Sequence, residues 1–251
     1  MDRYEGNPAE RLRARVIASL IDPEVDSILD VGCGNGFITK HLRARRVVGL
    51  DPSPEALAHI QGEHLVGTAD HLPFRDGEFD AVVCTEVLEH LSEEVFNKAV
   101  KELSRVAKQY IVIGVPYRQD LREGMTRCAK CGCRYHLHLH QRSFQGPDEL
   151  EAAIPGFRQH VVTLIGERSD IKSSLFRTIR YTALGARAHS SFAVCPSCGF
   201  PCTPAKPYRG TRRALGWLLD GLAWRMPKRT LPVWMIVLLA VADASTGAQH
   251  P

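Results

Sequence analysis

Between Ser27 and Asp51 a strand, a glycine-rich turn, a helical stretch, a second strand and a terminal acid follow one another in fixed order. Ser27-Ile28-Leu29-Asp30-Val31 reads as a buried strand, and Gly32-Cys33-Gly34-Asn35-Gly36 turns out of it toward a helix expected to open near Phe37. Val47-Val48-Gly49-Leu50-Asp51 is the second strand, and Pro52-Ser53-Pro54-Glu55 starts the next helix with a serine cap, a proline at the first position and an early acid. Short β-branched runs go on alternating with helical patterns: strands at 64–67, 79–84 and 110–116, and a helix from Ser92 to about Lys108. That rhythm specifies βαβ units and a parallel sheet, an α/β doubly wound fold.

The turn has three glycines in five positions, so its backbone can approach a bound group closely while bending into the next element. Asp51 ends the second strand 21 residues after Asp30. An acid there can accept both hydroxyls of a ribose across the crevice where strand order reverses. The plainer alternative is that the glycines only make a tight turn and Asp51 caps a helix. Dinucleotide enzymes place a third glycine inside the helix, in the pattern Gly-x-Gly-x-x-Gly, and here Phe37 holds that position, which disfavours NAD or FAD.

The chain of 251 residues has room for one such domain and an accessory lobe. A net charge of +4 is too mild to argue by itself for nucleic acid. Met1 to Pro8 lacks the basic-then-apolar pattern of an export signal. The apolar run Val233–Ala242 is ten residues, where a membrane span needs roughly 20. It reads as a buried final strand. A cytoplasmic, reducing location is therefore expected, in which eight cysteines serve metal ligation rather than disulfides.

Cys128-Ala129-Lys130-Cys131-Gly132 and Cys195-Pro196-Ser197-Cys198-Gly199 are two Cys-x-x-Cys-Gly knuckles in stretches that interrupt the core pattern. A two-residue gap lets both thiolates face one tetrahedral ion, and the two pairs supply the four ligands of a closed, structural zinc site. Cys133, Cys202, His136, His138 and His140 compete as ligands, so two separate sites remain open, and a redox dithiol is a rival reading. Cys33 and Cys84 read as small buried residues.

Ile28-Leu29-Asp30-Val31-Gly32-Cys33-Gly34-Asn35-Gly36 resembles the first motif of class I S-adenosylmethionine-dependent methyltransferases, of the methyltransferase type 11 kind. Gly49-Leu50-Asp51-Pro52-Ser53 resembles the family's ribose-binding motif, and Ala69-Asp70-His71-Leu72-Pro73-Phe74 its segment beside the adenine. Phe79-Asp80-Ala81-Val82-Val83 and Glu86-Val87-Leu88-Glu89-His90-Leu91 are similar to the fourth strand and the loop after it. His140-Gln141-Arg142-Ser143-Phe144 with Pro147-Asp148-Glu149-Leu150 is similar to the motif after the fifth strand.

The resemblance implies a Rossmann-like seven-stranded sheet and S-adenosylmethionine as cofactor. It implies that Asp30 and the backbone of Gly32 and Gly34 hold the methionine end, Asp51 the ribose hydroxyls and Asp70 the adenine amino group, that Thr85 and Glu86 flank the sulfonium, and that Gly36 and Ala69 also line the cofactor. The core is expected at 1–116, 140–168 and 231–243, the zinc-ribbon insertion at 118–139 and 189–204, and a basic amphipathic segment at 206–229.

For a hydroxyl or amine acceptor the reaction calls for a general base. His140, expected beyond the fifth strand over the mouth of the sheet, is the first choice, and His90 the second. Structural hydrogen bonding or zinc ligation is the other reading of His140, and packing against the core that of His90. Tyr117 and Arg118 are expected near the acceptor. The run His136-Leu137-His138-Leu139-His140 alternates as a strand, with its three histidines on one face.

Between Lys206 and Arg229 stand seven basic residues and one acid, Asp220, around an apolar helical pattern of Leu215, Leu218, Leu219, Leu222 and Met226. Peripheral contact with an anionic membrane surface or a lipid-linked substrate, contact with RNA phosphates, and a helix covering the core or a dimer interface are the three readings. The acceptor is expected to be a small molecule, a saccharide or a lipid-linked compound. An RNA methyltransferase that grips nucleic acid with the ribbon and basic helix is the alternative within enzymes. A zinc-ribbon interaction protein on a scaffold without catalysis is the alternative outside them. Acceptor identity and oligomeric state have no signature in the chain.

Overall fold

The computed structural model describes residues 7–185, 188–190, 193–203 and 211–242. The chain divides into two compact units, one of residues up to 118 with 144–166 and those from 233, the other of 119–143 and 167–232.

The first unit is a seven-stranded sheet. Its strands in chain order are β1 (Ser27–Val31), β2 (Arg46–Asp51), β3 (Glu63–Val66), β4 (Phe79–Thr85), β5 (Ala107–Pro116), β6 (Phe157–Ile165) and β7 (Trp234–Val241). In space they lie 3-2-1-4-5-7-6. All neighbours are parallel except β7, which runs antiparallel to both β5 and β6. This is the class I methyltransferase fold expected from the sequence.

Period-two alternation divides the sheet between two cores. Leu29, Val82, Cys84, Ile111, Ile113 and Met235 face one side, with Phe96, Val100 and Leu103 of α3 (Glu93–Val106). Ile28, Ala81, Val83, Val112 and Ile236 face the other, with Ala14 and Ile17 of α1 (Pro8–Leu20). In α3 the buried positions 96, 99, 100, 103 and 106 recur at helical spacing behind a Ser92 cap, whose hydroxyl accepts from Val95 N–H. Each fully buried leucine or valine contributes about 1.5–3 kcal/mol. The remaining helices of this unit are short: α2 (Pro54–Leu57) and α4 (Asp148–Ala153).

The helix expected to open near Phe37 is replaced by one 3-10 turn, Thr39–His41. Nine residues separate Gly36 from β2, and they must return the length of a five-residue strand, about 17 Å, at only 1.5 Å per residue if helical. A partly extended path spans that distance while still burying Phe37, Ile38 and Leu42.

In the second unit, Met125–Arg127 and Arg134–His136 form an antiparallel pair, and Arg168–Ile171 pairs antiparallel with Lys228–Leu231. Among the described residues two α-helices complete it, α5 (Ser174–Leu184) and α6 (Thr211–Arg225). Asp170 is buried between Arg177 and Arg229, at 2.7 and 3.2 Å. Residues 140–143 and 167–168, expected in the core, belong to this second unit. Of the expected basic segment, Lys206 and Arg209 lie outside the described residues, and its last two residues open the strand Lys228–Leu231. Among the described residues no helix is long and apolar enough to cross a membrane.

Candidate functional site

Strand order reverses between β1 and β4, and the acids of interest sit where β1, β2 and β4 end. The glycine turn is fastened to the end of β2 by the N–H groups of Gly32 and Cys33, which both donate to the Leu50 carbonyl at 2.7 and 3.1 Å. Asp51 completes the attachment. Its Oδ2 accepts from Gly34 N–H at 2.8 Å and its Oδ1 from Ser53 N–H at 2.9 Å.

The three turn glycines all have positive φ, a region that L side chains rarely occupy, but they serve different ends. A Cβ on Gly32 would collide with Val87, and one on Gly36 would lie 2.9 Å from Ile60, so packing excludes a side chain at both. A Cβ on Gly34 would meet nothing within 4 Å. Backbone polar groups and a carboxylate thus border open space at Gly34, which fits the polar end of a nucleoside.

Asp30 is buried and accepts the Thr39 hydroxyl at 2.6 Å. Burial lifts its carboxyl to about 6, against the opposing Thr39 hydrogen bond. Cys33 and Cys84 are buried, and burial drives both thiols upward, as befits packing residues rather than nucleophiles. Ala69 is buried and Asp70 half-buried, in a turn closed by His71 N–H on the Thr68 carbonyl at 3.2 Å.

Thr85, at the end of β4, is buried. Glu86 follows in the left-handed region with φ of 57°, held by its N–H on the Gly114 carbonyl at 2.8 Å. A non-glycine residue there stores about 1–2 kcal/mol of strain. Burial pushes the Glu86 carboxyl up to about 7, opposed by Arg13, whose guanidinium lies 3.5 Å away. Glu89, in the 3-10 turn Leu88–His90, is fully buried, and neither of its oxygens has a hydrogen-bond partner among the described residues. Burial first, then the Glu86 charge, raise it to about 9, which favours the neutral acid. His90 is half-buried in the same turn.

Arg13 and Glu89 escaped sequence reasoning as members of this site. Arg13 is buried, paired with Glu10 at 2.8 Å and stacked over Trp234 at 5.2 Å. Its signal was a position four residues before the apolar Ile17, on the inward face of α1. That of Glu89 was an acid enclosed by Val87, Leu88 and Leu91.

The second unit holds the cysteines and His140. Cys128 Sγ lies 3.6 Å from Cys198 Sγ and Cys131 Sγ 3.6 Å from Cys195 Sγ, and all four sulfurs lie within 4.8 Å of one another. Four thiolates at about 2.3 Å from a tetrahedral zinc stand about 3.8 Å apart, so the spacing fits that ion. The knuckles repeat one hydrogen-bond pattern. Cys128 N–H donates to the Cys133 carbonyl and Cys195 N–H to the Phe200 carbonyl, both at 2.9 Å. Gly132 and Gly199 bond back to Cys128 and Cys195 with φ of 77° and 67°. Cys133 and Cys202, the competing cysteines, stand outside the cluster.

The histidine run departs from the expected strand. Only His136 belongs to one, and the chain then turns, with Leu139 at φ of 58°. The N–H groups of His138 and His140 both donate to His136 Nδ1, at 3.3 and 3.2 Å, and the His136 and His140 rings stack at 4.7 Å. A turn thus gathers the histidines where alternation was expected to do so. His140, expected over the mouth of the sheet, belongs to the second unit and has its Nδ1 2.6 Å from Gln119 Oε1. Tyr117 N–H donates to the Val233 carbonyl, and Arg118 stacks on the Tyr117 ring at 5.0 Å.

Residues 29–112 match the family model described as a methyltransferase domain. An uncharacterized methyltransferase of Synechocystis sp. is 32% identical over 106 residues, 39% of this chain and 50% of that protein. The demethylmenaquinone methyltransferase of Thermotoga maritima is 28% identical over 106 residues, 39% of this chain and 45% of its own. The matched segment spans half or less of these relatives. In fold, the chain is similar to an S-adenosylmethionine-dependent methyltransferase of Archaeoglobus fulgidus, with a TM-score of 0.51 at 15% identity over 95% of this chain and 96% of that one.

Proposed function

We propose, from the match of residues 29–112 to a methyltransferase-domain model and from the class I methyltransferase fold, that the protein transfers a methyl group from S-adenosylmethionine to a small-molecule, saccharide or lipid-linked acceptor. The observation that carries the proposal is the open, left-handed Gly34 backed by the Asp51 carboxylate at the strand-order reversal. When bound, S-adenosylmethionine supplies an electrophilic methyl group on a cationic sulfonium.

The chain's own residues divide the binding. Asp30 takes the ammonium of the methionine end, beside the backbone of Gly32, Gly34 and Gly36. Asp51 keeps a lone pair on each oxygen for the ribose hydroxyls beyond the two backbone donors it already accepts. Ala69 and Asp70 border the adenine, and Thr85 and Glu86 flank the sulfonium. Acids fit this role, since a cationic ligand offsets what burial costs Asp30 and Glu86.

Cys128, Cys131, Cys195 and Cys198 hold a zinc ion whose four thiolates leave no open position, so its role is structural. In this reading the cofactor core lies within the first unit, and the zinc ribbon is the proposed insertion of 118–139 and 189–204. His140 is the proposed general base, with Gln119 fixing its ring through Nδ1, and His90 is the second candidate. The likeness to a demethylmenaquinone methyltransferase supports a small-molecule acceptor over RNA.

The test is incubation with methyl-labelled S-adenosylmethionine and fractionated cell extract. Label in a small-molecule or lipid fraction, lowered in Asp51→Ala when the cofactor is below saturation, is expected. Label only in RNA would replace the acceptor class, and no label with no cofactor binding would favour an interaction scaffold. With an acceptor identified, His140→Ala should lower turnover about 100-fold or more without weakening cofactor binding. Near-normal turnover would remove His140 as base.

A further inference from the structure

Helix α6 presents its faces the wrong way round for a helix that merely covers its own unit. Toward the protein it turns Gly216, Leu219 and Ala223, which are small apart from Leu219. Outward, over half its circumference, it shows Leu215, Trp217, Leu218, Leu222 and Trp224. Trp217 is 72% exposed and Trp224 84%, and they are two of only three tryptophans in the chain. The neighbouring α5 adds Leu175 and Ile179, one turn apart and both exposed.

Among the described residues, the exposed charges at the C-terminal end of this face are basic. Arg225 is exposed on the same arc, and Lys228 is exposed with its ammonium 5.4 Å from the Trp224 ring. Lys172, also exposed, is joined to this end of α6 by its N–H on the Pro227 carbonyl at 2.9 Å. The acids nearby are paired: Asp220, half-exposed and one turn from both Trp217 and Trp224, meets Arg180 at 2.8 Å, and Asp170 is buried between two arginines.

We infer that α6 is a docking helix for the surface of an anionic lipid bilayer. Leucines and tryptophans projecting from one side, with lysine and arginine at the ring edge, suit the boundary between acyl chains and headgroups. Tryptophan favours that boundary because its body is apolar and its N–H stays wet. At 15 residues the helix is about 22 Å long, which suits lying in the surface rather than crossing it. The cationic rim selects anionic headgroups by long-range attraction, which salt weakens. This inference is independent of the methyltransferase reading.

The test uses the full chain with vesicles of phosphatidylcholine alone and of phosphatidylcholine mixed with phosphatidylglycerol. Co-sedimentation with the mixed vesicles, weakened by salt, and quenching of tryptophan emission by brominated lipid are expected. Trp217→Ser combined with Trp224→Ser should lower partitioning at least tenfold, with melting unchanged because both side chains are exposed. Arg225→Glu with Lys228→Glu should remove the preference for anionic vesicles. Absence of binding, binding that survives the tryptophan changes, or equal binding to both vesicle types would overturn the inference. Concentration-dependent dimers dissolved by the tryptophan changes, without vesicle binding, would overturn it too and assign the face to a second copy of the chain.

Discussion

The Asp51 carboxylate accepts the Gly34 N–H at 2.8 Å, so the acid that ends β2 fixes the middle of the turn that ends β1. The register of the two strands makes this possible, since Val31 pairs with Leu50 and the two chain ends therefore leave the sheet side by side. Two strand ends, a turn and a carboxylate thereby act as one rigid part, with open space at its centre. Preorganisation of this kind lowers the ordering cost of binding.

The first prediction separates two glycines. Gly32→Ala drives a methyl group into Val87 and should lower stability by about 2 kcal/mol or more, read as a fall in the urea midpoint. Gly34→Ala meets no atom, so its stability loss should stay near the 1–2 kcal/mol of a left-handed alanine, while S-adenosylmethionine binding falls at least tenfold. Equal cofactor affinity in Gly34→Ala and wild type would place the ligand elsewhere.

The role proposed for Asp30 should make cofactor binding pH-dependent. Burial holds its carboxyl near 6, and the ionised form is the one that pairs with an ammonium group. Affinity should therefore rise with pH through about 6 and level off above it, and binding below pH 6 should release a proton. Calorimetry in buffers of different ionisation enthalpy counts that proton. Uptake instead of release would contradict the assignment.

Glu89 should cost stability as the medium becomes alkaline. Its carboxyl is raised to about 9 in the folded chain from an ordinary 4.5, so between those values the folded state keeps a proton that the unfolded state gives up. Its stabilising influence is complete below pH 4.5 and declines as pH rises toward 9, by up to about 1.4 kcal/mol per pH unit. Glu89→Gln removes the group, so the difference in unfolding free energy between variant and wild type should shift in favour of the variant from pH 5 to pH 8. A pH-independent difference would show that Glu89 titrates normally.

Purified protein should carry one tightly held zinc ion, and its removal by a chelator should lower the melting transition of the second unit. Cys195→Ser should do the same, since Cys195 is buried with Cys128 and Tyr135. Metal-free protein that melts unchanged would contradict a structural zinc site.

How much of this was legible in the sequence depended on the range of the interactions involved. The strand at Ser27–Val31, its glycines and Asp51 are written in local alternation and spacing, and the cysteine knuckles likewise. The loss of the helix after Phe37 follows from the nine residues available before β2, a length set by the sheet and not by propensity. The His136–His140 run has strand alternation, yet Leu139 in the left-handed region folds it around His136 Nδ1, a side-chain acceptor that periodicity does not register. The Arg13–Glu86 pair and buried Glu89 join α1 to the loop after β4 across more than seventy residues, so only the assembled sheet reveals them.

The most direct test is calorimetric titration of S-adenosylmethionine into the wild-type chain and into Asp51→Ala. Losing a charge-assisted partner of both the turn and the ribose should weaken binding by about 1.5–3 kcal/mol, roughly 10- to 150-fold. Saturable binding by the wild type with that loss in the variant is the expected result. Equal affinities, or a wild-type chain that takes up no S-adenosylmethionine, would contradict the cradle at Gly34 and Asp51.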